Sequence, residues 1–491
     1  MTDLILINPG NRKQAYGSLA ESLAGVEPPL MMALLAAYLR EKGFSVSIID
    51  AEAEGLDADQ TADIIARHAP RAVGIGAIGA NPSASSTPKM TAIRPLLNRI
   101  KGRNLPCKTV LFGIHSSALP ERTLREEAVD FVVRGEVFYP VEQLLRMLLS
   151  GEDAATINGL CLLRNDCFVD NGRADVVEDL DSLPLPAWDL LPMAKYRAHN
   201  WHCLDDVSRR SPYGVIYTSL GCPFHCDYCN IHEMYGGHPG IRFRSPGRVL
   251  EDIDRLYQEY KICHLKIMDE LFVINENRVM EICDLLIERD YGLNIWAYAR
   301  VDTVTGKVLK KLKQAGVNWL AFGIEAGADA VRQGVSKGRF DGDRIRDAVA
   351  KAHGAGINVL GNFMFGLPDD DMDTMGETLA LARELECEYA NFYTTMAYPG
   401  SALYEDAVTR GLPLPRTWGG FAQLSPEAMP LPTKHLTAAE VLRFRDDAFA
   451  SYFSAPSYLA MIEKKFGPQA VVHIRRMLSL KLRRDILSGG G

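Results

Sequence analysis

The alternation of short apolar runs with segments of helical periodicity most constrains the fold of this 491-residue chain. Within residues 1–150, five apolar runs of strand length stand between helix-like segments. These runs cover residues 4–8, 44–50, 72–79, 109–113 and 131–135. Strands that alternate with helices form right-handed βαβ units around a parallel sheet. Residues 1–150 are therefore predicted to form a doubly wound α/β domain.

Five parallel strands suit a flavodoxin-like, Rossmann-like arrangement, whose ligands bind beyond the carboxyl ends of the strands. The loops predicted at that edge contain small and polar residues. The candidate ligand-binding residues in these loops are Asn8, Gly79, Asn81, Ser83, Gly113, His115, Gly135 and Glu136.

A second alternating block extends over residues 211–410. Its six strand candidates are 215–219, 265–269, 294–300, 319–326, 358–365 and 390–398. Six βα units fit a partial (β/α)6 barrel better than another open sheet. Residues 151–210, with three prolines near residue 190, are predicted to be a linker. Residues 411–491 are predicted to be a helical C-terminal region.

Composition limits the class of partner. The chain is 47% apolar and 24% charged, has a net charge of −8 and contains no marked basic run. These values disfavour a nucleic-acid or anionic-membrane partner. The longest apolar stretch, residues 28–39, is too short to span a bilayer, and the first residues lack the features of a signal peptide. We therefore expect a cytoplasmic protein.

Three of the ten cysteines fall within eight residues: Cys222, Cys226 and Cys229. Their spacing is C-x3-C-x2-C, directly after the first strand of the second block. Three thiolates on one tight loop can bind three irons of a [4Fe–4S] cluster and leave the fourth iron open. The alternative is a Cys3His zinc site completed by His225, His232 or His238. Zinc ribbons and fingers prefer two separated ligand pairs, which this loop does not provide.

The cysteine segment resembles the signature loop of radical S-adenosylmethionine (SAM) enzymes, and later segments at strand ends resemble the same family in order. They read MDELF at 268–272, ARVD at 299–302, FGIEAG at 322–327 and GNFMFGLP at 361–368. The resemblance implies SAM-binding roles for Tyr228, Asp269, Glu270, Arg300, Glu325, Gly361 and Phe365. Taken singly, the charged residues could equally be solvated strand ends or salt bridges, and the glycines could be turns.

Residues 1–150 resemble the cobalamin-binding domain that precedes the barrel in cobalamin-dependent radical SAM proteins. The segments that resemble it include Asn8-Pro9, Gly113-Ile114-His115 and the VRGE segment at 133–136. Many such domains carry D-x-H-x-x-G after the first strand, with a His that ligates cobalt. Here the loop at residues 8–14 has no His, so cobalamin would be bound without that ligand, and His115 would touch the edge or tail of the corrin.

The resemblance implies a methyltransferase that uses a [4Fe–4S] cluster, SAM and cobalamin. Cleavage of SAM would give a 5′-deoxyadenosyl radical, and cobalamin would carry a methyl group to an unactivated carbon or phosphorus of a small metabolite. The alternative is a radical SAM cyclase, deoxygenase, decarboxylase or rearrangement enzyme without methyl transfer. A methylthiotransferase is disfavoured because residues 1–150 contain only Cys107.

Further expectations concern partners and the substrate pocket. The family uses an electron donor of the flavodoxin or ferredoxin type, and a small-molecule substrate is expected. Cys203 and Tyr393 are weak catalytic candidates: a free thiol can quench a substrate radical, although a lone cysteine is more often an inert buried residue. A tyrosine on a late strand is as often core packing as a pocket residue.

Overall fold

The computed structural model describes residues 2–10, 12, 24–151, 154–238 and 240–488. The N-terminal domain is a parallel sheet of five strands with helices on both faces. Its strands are β1 (Leu4–Asn8), β2 (Val46–Asp50), β3 (Ala72–Gly76), β4 (Lys108–Phe112) and β5 (Phe131–Val133). The strand order 2-1-3-4-5 confirms the predicted flavodoxin-like arrangement. All five residues of β1 are buried, as expected for a parallel strand covered on both faces.

Helices connect these strands. They are α1 (Leu30–Glu41), α2 (Ala51–Glu54), α3 (Ala58–His68), α4 (Pro82–Ser85), α5 (Met90–Gly102), α6 (Ile114–Ala118), α7 (Pro120–Glu126) and α8 (Phe138–Ser150). The start of α3 is fixed by a capping box in which Asp57 and Gln60 accept each other's backbone N–H groups.

Part of the segment predicted as a linker belongs to the first sheet. Strands β6 (Leu160–Arg164) and β7 (Cys167–Asp170) form a hairpin that continues the sheet antiparallel to β5. The remainder of the segment runs through short 3-10 turns, of which the last is Asn200–Cys203. The sheet of the first domain therefore extends beyond residue 150, to Asp170.

The second domain is a six-stranded parallel sheet in sequential order, which confirms the predicted partial barrel. Its strands are β8 (Tyr213–Ile216), β11 (His264–Ile267), β12 (Asn294–Ala299), β13 (Val317–Glu325), β14 (Asn358–Phe365) and β15 (Tyr389–Thr394). Between β8 and β11, a small antiparallel pair is formed by β9 (Ser219–Gly221) and β10 (Ile241–Phe243).

Helices follow the barrel strands and then form the C-terminal region. The barrel helices are α9 (Pro246–Tyr260), α10 (Glu276–Arg289), α11 (Gly306–Gln314), α12 (Asp329–Gln333), α13 (Gly342–Gly354), α14 (Met372–Leu385) and α15 (Ala402–Thr409). The C-terminal helices are α16 (Ala438–Phe453), α17 (Pro456–Phe466), α18 (Pro468–Ser479) and α19 (Asp485–Ser488). Among the described residues, no helix is both long and apolar enough to cross a membrane.

The two domains share one apolar core. The same cluster of buried residues includes Leu35 of α1, Trp188 of the connecting segment and Val215 of β8. A buried ion pair also joins the domains: Glu136, after β5, accepts from Arg242 of β10 at 2.6 Å. The carboxyl ends of the first sheet therefore face the barrel across a fixed interface.

Candidate active site at the carboxyl ends of the barrel strands

The cysteine loop, residues 219–230, begins with β9. The chain leaves this strand through a turn that requires glycine. Gly221 has φ +97°, and a Cβ atom there would lie 2.4 Å from the carbonyl oxygen of Gly240. The loop then places Cys222, Cys226 and Cys229 at half-buried positions. The Cys229 N–H donates to the carbonyl of Cys226 at 2.9 Å, which closes the second turn of the loop.

The histidines near this loop have other partners. The His232 ring lies 2.8 Å from the carbonyl of Phe224 and stacks on His225 with 4.3 Å between ring centroids. The Nδ1 atom of His238 accepts the N–H of Gly240 at 3.1 Å. Among the described residues, the sulfur atoms of the three loop cysteines do not all lie within 4.8 Å of one another. This arrangement favours a multinuclear cluster over a single zinc ion.

Burial raises the pKa of Cys229 to about 12 and also raises that of Cys222. These thiols therefore keep their protons until a metal displaces them, because a thiolate is the ligand form.

The adjacent carboxylates Asp269 and Glu270 have different roles. Both oxygens of Asp269 accept hydrogen bonds from Thr218 and Ser219, at 2.5–2.6 Å, so this side chain fixes the start of the cysteine loop. Glu270 accepts from Tyr235 through Oε1 at 3.0 Å. Its Oε2 is buried and has no hydrogen-bond partner among the described residues. Burial raises the pKa of Glu270 to about 8. Asp269 is therefore fully hydrogen-bonded by neutral donors, whereas one oxygen of Glu270 has no donor among the described residues.

Arg300 follows β12 and reaches the cysteine loop. Its Nε and Nη2 atoms donate to Asp302 at 2.9 and 2.8 Å. The guanidinium lies over the ring of Phe224, 3.8 Å from its centroid. The fixed guanidinium therefore presents positive charge beside the loop, with Nη1 outside the Asp302 pair.

Glu325 ends β13 in a left-handed conformation, with φ +67°. Its Oε1 accepts from Lys337 at 2.7 Å and from the hydroxyl of Tyr228 at 3.1 Å. Burial lowers the pKa of Lys337, but the Glu325 carboxylate outweighs that effect and the net pKa is raised. A Cβ at Gly323 would lie 2.6 Å from the Lys337 amine, so glycine leaves room for this triad. A non-glycine residue in the left-handed region, as Glu325 is, is typical of functional sites.

Gly361 and Phe365 face away from this triad. Alternate residues of a strand share one face, and these two have the same parity. Phe365 packs edge-on against Phe444 of α16, 5.0 Å between centroids. Met364, on the opposite face, belongs to the apolar cluster that contacts Tyr228. Gly361 and Phe365 therefore lie on the strand face opposite to Tyr228, and Met364 lies on the same side as Tyr228.

A cavity of about 650 Å³ lies between the two domains. On the side of the first sheet, it is lined by Asn8, Met31, Gly79, Asn81 and Lys89. On the barrel side, it is lined by Tyr217, Lys266, Met268, Trp296, Tyr298 and Tyr393. The cavity therefore joins the carboxyl edge of the first sheet to the interior of the barrel.

Three of the eight residues predicted at the first sheet line this cavity: Asn8, Gly79 and Asn81. Asn8 is held by Asp50, to which its amide donates at 2.8 Å. A Cβ at Gly79 would lie 2.2 Å from that of Ser85, so a larger residue does not fit there without movement.

Other predicted residues maintain the domain interface. Ser83 donates to the side chain of Asn230 at 2.8 Å, directly after the last loop cysteine. Glu136 is occupied by Arg242 and by the N–H of Val177, at 2.6 and 2.7 Å. Both are among the residues predicted to bind cobalamin, but the structure places them outside the cavity lining.

Gly113, His115 and Gly135 also lie outside the lining. Gly113 and Gly135 have φ +115° and +103°, and a Cβ at Gly113 would meet the carbonyl oxygen of Ala77 at 2.5 Å. The His115 ring is buried against Trp418, 4.5 Å between centroids. Burial lowers the pKa of His115 to about 3. These three residues therefore determine the conformation and packing of the loops that follow β4 and β5.

The two weak catalytic candidates are far apart along the barrel. Tyr393 lines the cavity. Cys203 contacts His264, the first residue of β11, with Sγ 3.7 Å from both ring nitrogens. Asp269 stands five residues later at the other end, about 17 Å away at the rise of a β-strand. The structure does not bring Cys203 to the cysteine loop.

Several polar residues of the site were not predicted. Lys337 lies on a loop that belongs to none of the sequence segments that resemble the radical SAM family. Lys89 is buried, with its amine donating to the side-chain oxygen of Asn8 at 2.9 Å. Lys266 pairs with Glu27 at 2.8 Å inside the cavity. For Lys266 a sequence signal existed, because a lysine inside the otherwise apolar β11 shares the strand face of Met268 and Glu270.

Comparison with known proteins agrees with this geometry. Residues 18–145 match the family model of the B12 binding domain, and residues 216–382 match that of the radical SAM superfamily. An uncharacterized methyltransferase of Pyrococcus horikoshii is 32% identical over 433 residues, covering 88% of this chain and 89% of the relative. The chain belongs to the cobalamin-dependent, methyltransferase-like branch of the radical SAM superfamily.

Other relatives extend this picture. An anaerobic magnesium-protoporphyrin IX monomethyl ester cyclase of Rubrivivax gelatinosus is 27% identical over 399 residues, covering 80% of this chain and 68% of the relative. The structure of TsrM from Kitasatospora setae, a radical SAM methyltransferase solved with cobalamin and a [4Fe–4S] cluster, superimposes with a TM-score of 0.69 at 17% identity. The superposition covers 93% of this chain and 90% of TsrM. That likeness shows the shared fold.

The predicted family, enzyme class and cofactors are thereby confirmed. The two domains identify a radical SAM enzyme that uses a [4Fe–4S] cluster, SAM and cobalamin. The residues present suit these groups: three cysteines on one loop, an unpartnered buried carboxylate oxygen on Glu270, and a cavity beyond the carboxyl edge of the first sheet.

Proposed function

We propose that this enzyme transfers a methyl group from SAM, by way of cobalamin, to an unactivated carbon or phosphorus of a small metabolite. The observation that carries the proposal is the single cavity that opens to both the first sheet and the barrel interior. Methyl transfer through cobalamin needs the corrin and the substrate to share one enclosed space, because reacting atoms must approach within about 3–3.5 Å.

The proposed cluster ligands are Cys222, Cys226 and Cys229. When bound, the cluster and SAM supply a 5′-deoxyadenosyl radical and cobalamin carries the methyl group, while the protein supplies position and shielding. A loop with three thiols leaves one coordination position open beside Glu270 and Arg300. These two side chains carry opposite charge, as the ammonium and carboxylate of an amino-acid group require.

At the amino-acid end, the free Oε2 of Glu270 accepts the ammonium of SAM, and Arg300 donates to its carboxylate. A cationic partner favours the ionised carboxyl, so binding lowers the raised pKa of Glu270. Asp269 keeps its structural role under the loop, through Thr218 and Ser219.

At the nucleoside end, the Tyr228–Glu325–Lys337 triad orients the ribose and adenine. Lys337 fixes Glu325 Oε1, which leaves Oε2 for a ribose hydroxyl. Met364 supplies an apolar contact on the same side as Tyr228. The triad is rigid because each member is paired before SAM arrives.

The residues that would hold the corrin are Asn8, Gly79, Asn81 and Lys89, which line the cavity at the edge of the first sheet. No His from the first loop is required in this arrangement. The substrate occupies the barrel end of the cavity, where Trp296 and Tyr298 form aromatic walls. The Lys266–Glu27 pair also lines this end, where the lysine amine donates to Glu27 and to the carbonyl of Ala80. Tyr393 stands at the same end as a weaker catalytic candidate.

The test is a count of iron and cobalt in anaerobically reconstituted, desalted protein. We expect about four irons and one cobalamin per chain. The triple variant Cys222→Ala/Cys226→Ala/Cys229→Ala should lose the iron and keep the corrin. Retained cluster with complete loss of corrin on gel filtration would contradict methyl transfer and favour radical chemistry without it. An electron donor of the flavodoxin or ferredoxin type should replace a chemical reductant in turnover.

A further inference from the structure

A second group of metal-ligand side chains lies at the amino ends of the barrel strands. His202, Cys203 and His264 are buried, and their nearest ligand atoms all lie within 4.8 Å of one another. His202 and Cys203 belong to the 3-10 turn Asn200–Cys203, and His264 begins β11. The group is at the opposite end of the barrel from the cysteine loop, so it is separate from the proposed cluster ligands.

The His202 side chain lacks partners for its nitrogens. It is fully buried, and neither Nδ1 nor Nε2 has a hydrogen-bond partner among the described residues. A buried polar atom left unpaired is unfavourable, because it has lost its hydrogen bonds to water. The ring lies 5.5 Å from that of His264, centroid to centroid. A buried imidazole without a hydrogen-bond partner, with a ligand atom within 4.8 Å of a second histidine and a thiol, indicates a missing electrophilic partner.

His264 is oriented as metal-ligating histidines are. Its Nε2 lies 2.8 Å from the carbonyl oxygen of Arg209, so Nε2 carries the proton. The Nδ1 atom is then the acceptor nitrogen, and it accepts from the amide of Asn294 at 3.2 Å, a bond that an ion would replace. A ligating His commonly donates its other N–H to a backbone carbonyl in this way.

The sulfur–nitrogen distance is close to that of two ligands of one tetrahedral ion. Cys203 Sγ lies 3.7 Å from both ring nitrogens of His264, so the ring must turn for Nδ1 to share an ion with the sulfur. With zinc–sulfur and zinc–nitrogen bonds of about 2.3 and 2.0–2.1 Å, tetrahedral angles place sulfur and nitrogen about 3.6 Å apart. Burial raises the pKa of the Cys203 thiol to about 12 and lowers the pKa of both histidines. The histidines are therefore neutral, and the thiol proton leaves for solvent when the ion binds.

We propose that His202, Cys203 and His264 form a structural site for a zinc-type divalent cation. Zinc accepts both thiolate and imidazole ligands. Cys263, next to His264 in the chain, is the candidate fourth ligand. The ion would pin the 3-10 turn to β11. That turn carries Trp201, which lines the cavity and contacts Trp296 with 5.0 Å between ring centroids.

The first measurement uses the full chain with Cys222→Ala/Cys226→Ala/Cys229→Ala, so that the cysteine loop cannot bind metal. The protein is equilibrated anaerobically with zinc chloride, desalted and analysed for zinc by mass spectrometry. We expect about one zinc per chain. Adding Cys203→Ala or His202→Phe should lower the zinc content about tenfold. Cys283→Ala, at another buried cysteine, is the matched control and should retain zinc.

The second measurement uses the unsubstituted protein, so its result does not depend on whether a variant folds. X-ray absorption at the zinc edge of the zinc-treated, unsubstituted holoenzyme should show sulfur at about 2.3 Å and nitrogen at about 2.0 Å. Absence of retained zinc, zinc content unchanged by both substitutions, or a shell of oxygen ligands alone would overturn the proposal. None of these results depends on whether the enzyme transfers methyl groups.

Discussion

Lys337 shows how one residue can prepare a binding site without appearing in any motif. Its amine holds Glu325 Oε1 at 2.7 Å inside the buried triad. Lys337→Met leaves the buried Glu325 carboxylate without its cation and without the hydrogen bond that holds it in place. We expect the Kd for SAM to rise about tenfold, or about 1.4 kcal/mol. Calorimetric titration of the reconstituted enzyme measures this change. Lys307→Met, at an exposed ion pair, should leave the Kd unchanged, and an unchanged Kd in Lys337→Met would exclude the proposed role.

His115 is a second residue whose environment predicts a measurable effect. Burial lowers its pKa from 6.5 to about 3 in the folded protein. The unfolded chain therefore takes up a proton between these values, and this contribution to stability is present above pH 6.5 and is lost as the pH falls. From pH 7 to pH 5, the loss is about 2 kcal/mol.

Urea unfolding of the chain without its cluster cysteines, at both pH values, tests the His115 effect. His115→Gln should reduce the acid-induced loss of stability by about 2 kcal/mol relative to its parent. The matched control is His68→Gln, at an exposed histidine on α3, which should behave like the parent. Equal acid sensitivity of parent and His115→Gln would contradict the assignment.

At the scale of elements, the loop after β5 and strand β10 are joined by the Glu136–Arg242 pair, with side chains 2% and 5% exposed. Glu136→Gln leaves a buried guanidinium without its carboxylate. We expect a loss of about 3–5 kcal/mol in the free energy of unfolding. Glu121→Gln, in an exposed pair on α7, should cost less than about 0.5 kcal/mol.

The double variant Glu136→Gln/Arg242→Met measures the interaction between the two side chains apart from their contacts with other residues. Because both partners act together, the double variant should cost less than the sum of the single variants. Additive losses would mean that the two side chains stabilise the domains independently.

The strands of both sheets could be predicted because a buried parallel strand is apolar along its length, whereas a helix repeats every 3.6 residues. The hairpin β6–β7 could not be predicted as part of the sheet, because Cys167–Asp170 is short and half-exposed. Strand alternation would have shown that Phe365 and Met364 face opposite ways. It could not have shown which of the two faces Tyr228, since that depends on a contact between distant segments.

The same distinction applies to the charged residues of the site. Their place at the end of a strand could be predicted, but their contacts with distant segments could not. Glu270 and Arg300 stand at the ends of strands, so their location followed from the strand pattern. That Asp269 is saturated by Thr218 and Ser219, while Glu270 is not, depends on the three-dimensional arrangement of β9. Glu136 was predicted to bind cobalamin, but its partner Arg242 is 106 residues away in sequence.

At the scale of the whole molecule, the shared apolar core and the interdomain cavity make the two domains one catalytic unit. The first sheet presents its carboxyl edge to the barrel, and residues of both domains line the cavity between them. Neither domain alone encloses the cavity. This arrangement suits a reaction in which a methyl group crosses from one domain to the other.

The most direct test follows the SAM methyl group in anaerobic, reconstituted enzyme under a strong reductant. With SAM deuterated at the methyl group, we predict that the label appears on protein-bound corrin, together with one S-adenosylhomocysteine per methyl transferred. Cobalamin free in solution under the same conditions is the control. Formation of 5′-deoxyadenosine with no label on the corrin would contradict methyl transfer and indicate that the enzyme uses its radical for another reaction.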